Sequence, residues 1–154
     1  MSMIINPYVF GAAPALPGYR FWRLYITAAD SGQYSGLAEL VFNIAGVRQL
    51  GGTALASSFF SGAAAANGFD GNTATDWANN GGLPGTPAWL RYDFGAGNEK
   101  EIDEVKITAR AYTGQGPKSF EIQSSNDGTT WDVHVSVSGA SAWGSLEQRT
   151  FAIP

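Results

Sequence analysis

Short runs of alternating apolar and polar residues, separated by glycine, proline, asparagine or aspartate, recur from residue 20 to the end of this chain. Such runs make strands, because side chains on an extended backbone point alternately to opposite faces. They occupy residues 20–28, 37–43, 53–59, 89–94, 102–110, 118–123, 131–137 and 148–153. A 3.6-residue apolar period is sustained nowhere, and the alanines at 63–66 leave room for one helical turn. The pattern predicts an all-β sandwich. Alternation points Trp22, Leu24 and Ile26 to one face, and Val105, Ile107 and Ala109 to one face. It also predicts Phe120, Ile122, Trp131, Val133, Val135 and Val137 inward, and His134 outward beside Asp132. Asn126-Asp127-Gly128 is a turn between two of these strands.

Composition narrows the function classes. The chain has 154 residues, 44% hydrophobic and only 14% charged, so it can bury a core. Its formal net charge is -4, and no basic field exists to hold a phosphate backbone, so nucleic acid is not an expected partner. With no cysteine, disulfide scaffolds, thiol nucleophiles and cysteine zinc sites are excluded, and one histidine excludes multi-histidine metal sites. No apolar run reaches the roughly 18 residues of a membrane span, so no membrane partner is expected. Residues 1–18 lack a basic start and contain Pro7, Pro14 and Pro17, unlike a signal peptide. They read as an extended arm, made adhesive by Ile4, Ile5, Tyr8, Val9 and Phe10, that covers its own domain or anchors to a neighbour. Residues 19–154 form the sandwich on this reading.

Residues 61–87 form a glycine- and asparagine-rich connection, too long for a simple hairpin. Asp70, Asn72 and Thr75 bring oxygens close together around Gly71. This suits a hard cation, and it equally suits an Asx-turn in which the side chains bond their own backbone. His134 is the one histidine a Ser-His-Asp triad could use; no G-x-S-x-G elbow, phosphate loop or dinucleotide fingerprint accompanies it.

The string GFDGNTATDW at residues 68–77 resembles the signature of the discoidin superfamily, which includes the coagulation-factor C-type domains and the family-32 carbohydrate-binding modules. WLRYDFG, IDEVKITAR, PKSFEIQSSNDGTTW and WGSLEQRTF follow in family order, so the resemblance covers about residues 50–152. YRFWRLYI and LAELVF also resemble family strands, but ones that usually end the domain. The chain therefore resembles a circularly shifted form, similar to modules of bacteriophage tail and fibre proteins.

The resemblance implies a jelly-roll β-sandwich with one structural cation, usually Ca²⁺. Its ligands would be the carbonyls of Asn67, Asn72, Thr75 and Leu146, the Thr75 hydroxyl, and the carboxylates of Asp70 and Glu147. It further implies carbohydrate binding through Arg110 and Gln115. Ala78 replaces the family's histidine after the loop tryptophan, so Asn79 or Asn80 would substitute for it. Trp143, Tyr112 and Tyr34 are candidates for an aromatic platform; Trp143 equally suits a core or edge position, and tyrosines such as Tyr112 and Tyr34 are more often ordinary loop residues.

The function implied is a non-catalytic bacteriophage virion module, in a tail fibre, tail tip or capsid fibre, that binds host surface glycan. It would be made in the host cytoplasm, contact other virion proteins through the arm, and form a homo-oligomer such as a trimer to gain avidity. The alternative is a purely structural virion protein of the same fold.

Overall fold

The computed structural model describes residues 18–30 and 32–154. The expectation of an anchoring arm concerns residues 1–18 and, apart from Gly18, lies outside the described residues. Ten strands and one short helix follow in chain order: β1 (Phe21–Ala29), β2 (Gly36–Ile44), β3 (Val47–Arg48), β4 (Thr53–Ala56), a 3-10 turn (Ala65–Phe69), β5 (Trp77–Ala78), β6 (Ala88–Asp93), β7 (Glu104–Ala109), β8 (Pro117–Ser125), β9 (Asp132–Val137) and β10 (Gln148–Ala152). Each of the eight predicted runs overlaps one strand, and the two additional strands, β3 and β5, are two residues long. No helix among the described residues is long and apolar enough to cross a membrane.

Two antiparallel sheets face each other. One runs β4-β6-β1-β8-β9, and the other runs β10-β7-β2-β3 with β5 also paired to β2. This is the predicted all-β jelly-roll sandwich. Alternation fills the space between them. Trp22, Leu24 and Ile26 of β1, Leu90 of β6, and Phe120 and Ile122 of β8 come from one sheet. Leu40 and Phe42 of β2, and Val105 and Ile107 of β7, come from the other. Phe69, at the end of the 3-10 turn, closes one side of this core against Phe42 and Tyr92.

β9 departs from the alternation predicted for it. Ile122 is opposite Val135, but its neighbour Gln123 is opposite Val133, so His134 is the extra residue of a β-bulge. One extra residue exchanges the faces on either side of it. Val133 is therefore 51% exposed rather than inward. Trp131, also predicted inward, lies across the outer face with the Arg23 guanidinium 3.7 Å from its ring centre. His134, predicted outward, instead stacks on Trp22 and has its Nε2 2.6 Å from Ser124 Oγ.

Candidate functional site

β7 ends at Ala109, so Arg110 leaves the sheet at the mouth of the loop leading to β8. Its side chain crosses the start of β2, where only a glycine fits. A Cβ on Gly36 would lie 2.5 Å from Arg110 Cδ and equally close to the Trp77 carbonyl. The guanidinium pairs with Asp76 Oδ1 at 2.9 Å and donates from Nη1 to Gln115 Oε1. Tyr112, 64% exposed, places its ring 4.9 Å from the guanidinium carbon. The Arg110 Nε is buried and without a hydrogen-bond partner. Arg110, Gln115 and Tyr112 therefore lie together, and Asp76 joins them unforeseen.

On the other flank of the same β2 start, Ser57, Ser58, Asn80, Gly81, Gly82, Thr86, Pro87 and Ala88 line a pocket of about 260 Å³. Asn80 is exposed, with its backbone N–H bound to Ser58 Oγ. Tyr34 packs its ring 5.2 Å from that of Phe60 and borders Gly81. Hydroxyls, an amide and two partly exposed rings thus gather here, the groups that hydrogen-bond sugar hydroxyls and cover sugar C–H faces.

Two expected rim residues are elsewhere. Asn79 is fully buried. Its Oδ1 accepts from the Ser35 N–H at 2.6 Å, and its Nδ2 donates to the carbonyls of Gln33 and Gly81. It ties β2 to the connection after β5, so its hydrogen-bonding capacity is spent inside the fold. Trp143 is 3% exposed, donates from Nε1 to the Pro117 carbonyl, and is covered by Arg149 at 4.0 Å. A side chain on Gly116 would strike it. It is a core residue, not a platform.

The loop after the 3-10 turn is organised around its acids. Asp70 Oδ1 accepts from the Asn72 N–H (2.8 Å), and Oδ2 accepts from the Thr75 hydroxyl (2.7 Å). The Asn72 side chain caps the Ala74 N–H, and the Asn72 carbonyl accepts from Thr75 N–H and hydroxyl. The Asx-turn is therefore present. Asn67 donates its amide to the carbonyls of Gly62 and Asp76, closing the loop base.

The expected second carboxylate is not Glu147. That side chain accepts from the Gly144 N–H and the Arg149 Nε, both at 2.6 Å. The preceding Leu146 is a left-handed turn residue (φ 53°) whose N–H donates to the Arg110 carbonyl. This turn keeps both residues with their own strand.

Glu39 reaches the loop instead. It lies on β2 beside a register shift at Ala38, is 4% exposed, and accepts at Oε1 from the Gly71 (2.6 Å) and Asn72 (3.0 Å) N–H groups. Arg48 donates to Glu39 Oε2 at 2.9 Å and to the Phe69 carbonyl at 2.6 Å. Glu39 and Asp70 share a donor, since the Asn72 N–H is bound by both carboxylates. Burial raises the Glu39 carboxyl above its ordinary value, with Arg48 pulling against it and Asp70 adding to it. Burial also pushes Asp70 up, but hydrogen bonds from Thr75 and Asn72 outweigh this and hold it low. A lone acid inside the apolar run LAELVF was the available sequence signal for Glu39.

Two carboxylates drawn to one N–H call for a proton or a cation near them. Among the described residues no three histidine, cysteine or carboxylate side chains gather as a metal cluster. A bound ion would rest on two carboxylates with hydroxyl and carbonyl oxygens, an all-oxygen set of the kind Ca²⁺ prefers. The donor chemistry thus fits a hard cation, with Glu39 in the part expected of Glu147. Arg48 already supplies one positive charge there.

At the other end of β7, a cavity of about 310 Å³ lies among Tyr19, Trp22, Glu101, Ile102, Asp103, His134, Ile153 and Pro154. Burial lowers the His134 imidazole below 6.5, Asp132 opposing. Ser124, its hydrogen-bond partner, is fully buried.

Among curated proteins and among solved structures, nothing matches this chain. The model of the F5/8 type C domain matches residues 53–154, from β4 through β10. The two strands before that segment, β1 and β2, sit in the interior of the two sheets, so the matched segment requires them to complete its sandwich. The match spans about two-thirds of the sequence, the fold is the corresponding two-sheet jelly roll, and the chain belongs to the F5/8 type C, or discoidin, domain family, whose fold points to binding of a carbohydrate or other ligand.

Proposed function

We propose that this domain is a non-catalytic carbohydrate-binding module of a bacteriophage virion, in a tail fibre, tail tip or capsid fibre, that contacts host surface glycan. The observation carrying the binding half of this reading is the convergence of Arg110, Gln115 and Tyr112. The Arg110 guanidinium and the exposed Tyr112 ring put N–H groups and an apolar face at one point. The Asn80 pocket lies across the start of β2 and supplies further hydroxyl-recognising groups. The virion half rests on the resemblance to circularly shifted phage modules, and the interior position of β1 and β2 supports such a shift.

Ca²⁺ is the proposed cation of the loop, held by Asp70, Glu39 and Thr75, and it supplies charge neutralisation rather than chemistry. The non-catalytic reading is supported by the burial of Ser124, which leaves the Ser124–His134 pair no nucleophile facing solvent. Few contacts bind a single sugar weakly, so clustered copies, as in a homo-oligomer such as a trimer, would raise avidity by roughly 10²–10⁴ where geometry allows.

The retreat of Asn79 and Trp143 into the fold reduces the rim and favours the second reading, a purely structural virion protein. A broad glycan array probed with the purified protein, in Ca²⁺ and in chelator, separates the two. Reproducible binding to related sugars supports the lectin. A clean negative from folded protein moves the assignment to the structural role.

A further inference from the structure

The outer face of the five-stranded sheet carries an unusual juxtaposition. Arg23 of β1 and Arg91 of β6 are direct cross-strand partners. Like charges directly opposite each other on a sheet are destabilising. Their neighbours on this face are aromatic: Tyr25 is paired with Trp89 in the adjacent register position, and Phe21 and Trp131 flank the pair. The Arg23 guanidinium carbon lies 3.7 Å from the Trp131 ring centre and 4.7 Å from that of Tyr25. The Arg91 guanidinium carbon lies 5.0 Å from the Phe21 ring centre and 5.4 Å from that of Trp89.

Neither arginine makes an ion pair among the described residues. Arg23 donates its Nε to the neutral amide of Gln123 at 2.6 Å, and Gln123 in turn holds Glu121. The nearby Asp93 is committed to Arg20, bidentate at 2.7 and 2.8 Å. Arg91 makes no ion pair among the described residues, and its Nε is buried with no hydrogen-bond partner. Burial brings the Arg23 guanidinium down to about 10, well below the usual guanidinium range, with Arg91 lowering it further and Tyr25 and Glu121 opposing. A chain of net charge -4 thus keeps two guanidinium groups without ion pairs side by side between aromatic rings.

We propose that this face is a second binding surface, for an anionic polysaccharide whose carboxylates bridge Arg23 and Arg91 while its sugar rings stack on Trp131 and Trp89. Charge complementarity selects the acidic ligand, since a carboxylate placed between the two guanidinium groups relieves their repulsion. The aromatic faces select a sugar over a bare anion, because they cover C–H surface that an inorganic ion lacks. The surface is built on strands β1, β6, β8 and β9 rather than on the loops around Arg110. It does not depend on the loop-end reading.

Affinity electrophoresis of the intact protein through gels containing polygalacturonate, hyaluronate or neutral galactan tests the proposal. Retardation by an acidic polymer, at least tenfold weaker in galactan, is expected. Arg23→Gln and Arg91→Gln should each weaken it about tenfold, with the fold checked by thermal melting and Arg23→Lys restoring part of it. A second readout needs no charge variant. Titrating polygalacturonate should change the tryptophan fluorescence of the wild-type protein, and Trp131→Phe should remove most of that change. Mobility unaltered by either acidic polymer would overturn the proposal. So would equal retardation by galactan, retention of full affinity by both glutamine variants, or equal binding of a single-stranded oligonucleotide, which would reduce the surface to a general anion contact.

Discussion

The imidazole of His134 lies against the indole of Trp22, ring centres 4.9 Å apart and planes 25° from parallel. The Tyr19 ring meets both edge-on, so the only histidine of the chain is enclosed by aromatic rings on the inner face of β9. A protonated imidazole would lose hydration there without gaining an ion pair at contact distance.

This enclosure sets a pH dependence. The unfolded chain takes up its histidine proton near 6.5, whereas the folded chain takes it up only at lower pH. The contribution of His134 is therefore full above 6.5 and is lost as pH falls through the folded value. Carboxylates held low, such as Asp93 and Glu104, lose their contributions only below about 4.5, and the raised Glu39 acts in the opposite direction. The wild-type melting temperature should fall between pH 7.5 and 5.5, and His134→Gln should flatten that fall. Equal slopes for the two proteins would dismiss the imidazole as the cause.

The Asn72 N–H shared by Glu39 and Asp70 predicts which carboxylates answer to metal. Ca²⁺ at a hundredfold excess over its Kd should stabilise the wild type by about 2.7 kcal/mol, a rise of several degrees. Asp70→Ala and Glu39→Gln should abolish that rise, while Glu147→Gln retains it. Thermal melts with Ca²⁺ and with chelator read all three. An identical wild-type melt in chelator would remove the cation from the loop.

Arg110 carries the sharpest test of the glycan site. Arg110→Ala should abolish binding on the array and leave the protein folded, with a modest loss of stability from the broken pair with Asp76. Retained binding would clear Arg110 of the role. Asp76→Asn should weaken binding less, since it leaves the Arg110 donors in place.

Gly116 tests the core position of Trp143. A Cβ there would lie 2.2 Å from Trp143 Cδ1, so Gly116→Ala should cost about 1–3 kcal/mol, as overpacking does. Denaturant titration measures it. If Trp143 instead moved freely at the surface, the substitution would be close to neutral.

The strands were legible because alternation is a local property, and all eight runs recur as strands. The errors arose where one inserted residue or one distant partner decides the outcome. The bulge at His134 exchanged the faces of Trp131, Val133 and His134, and nothing in the local pattern marks where an extra residue is accommodated. Asn79 reads as a surface amide until Ser35 and Gln33, more than forty residues away, take its hydrogen bonds. Glu147 and Glu39 look alike as single acids beside apolar residues. Only the pairing of β2 with β7, and the loop folded over it, brings Glu39 rather than Glu147 to Asp70. The Arg110, Gln115 and Tyr112 grouping was readable because the three lie within six residues on one loop.

β1 lies between β6 and β8, and β2 has β7 on one side and β3 and β5 on the other. The register of Phe21 opposite Ser125 means that β1 cannot be fully paired until synthesis has passed Ser125. Closing so long a loop costs entropy before any contact repays it, and folds built this way assemble slowly. During synthesis, Trp22, Leu24, Ile26, Leu40 and Phe42 wait on two apolar strands with open edges. Recovery of native protein from cells is then governed by competition between late strand arrival and aggregation, so chaperone supply and growth temperature should matter more to yield than the stability of the finished domain.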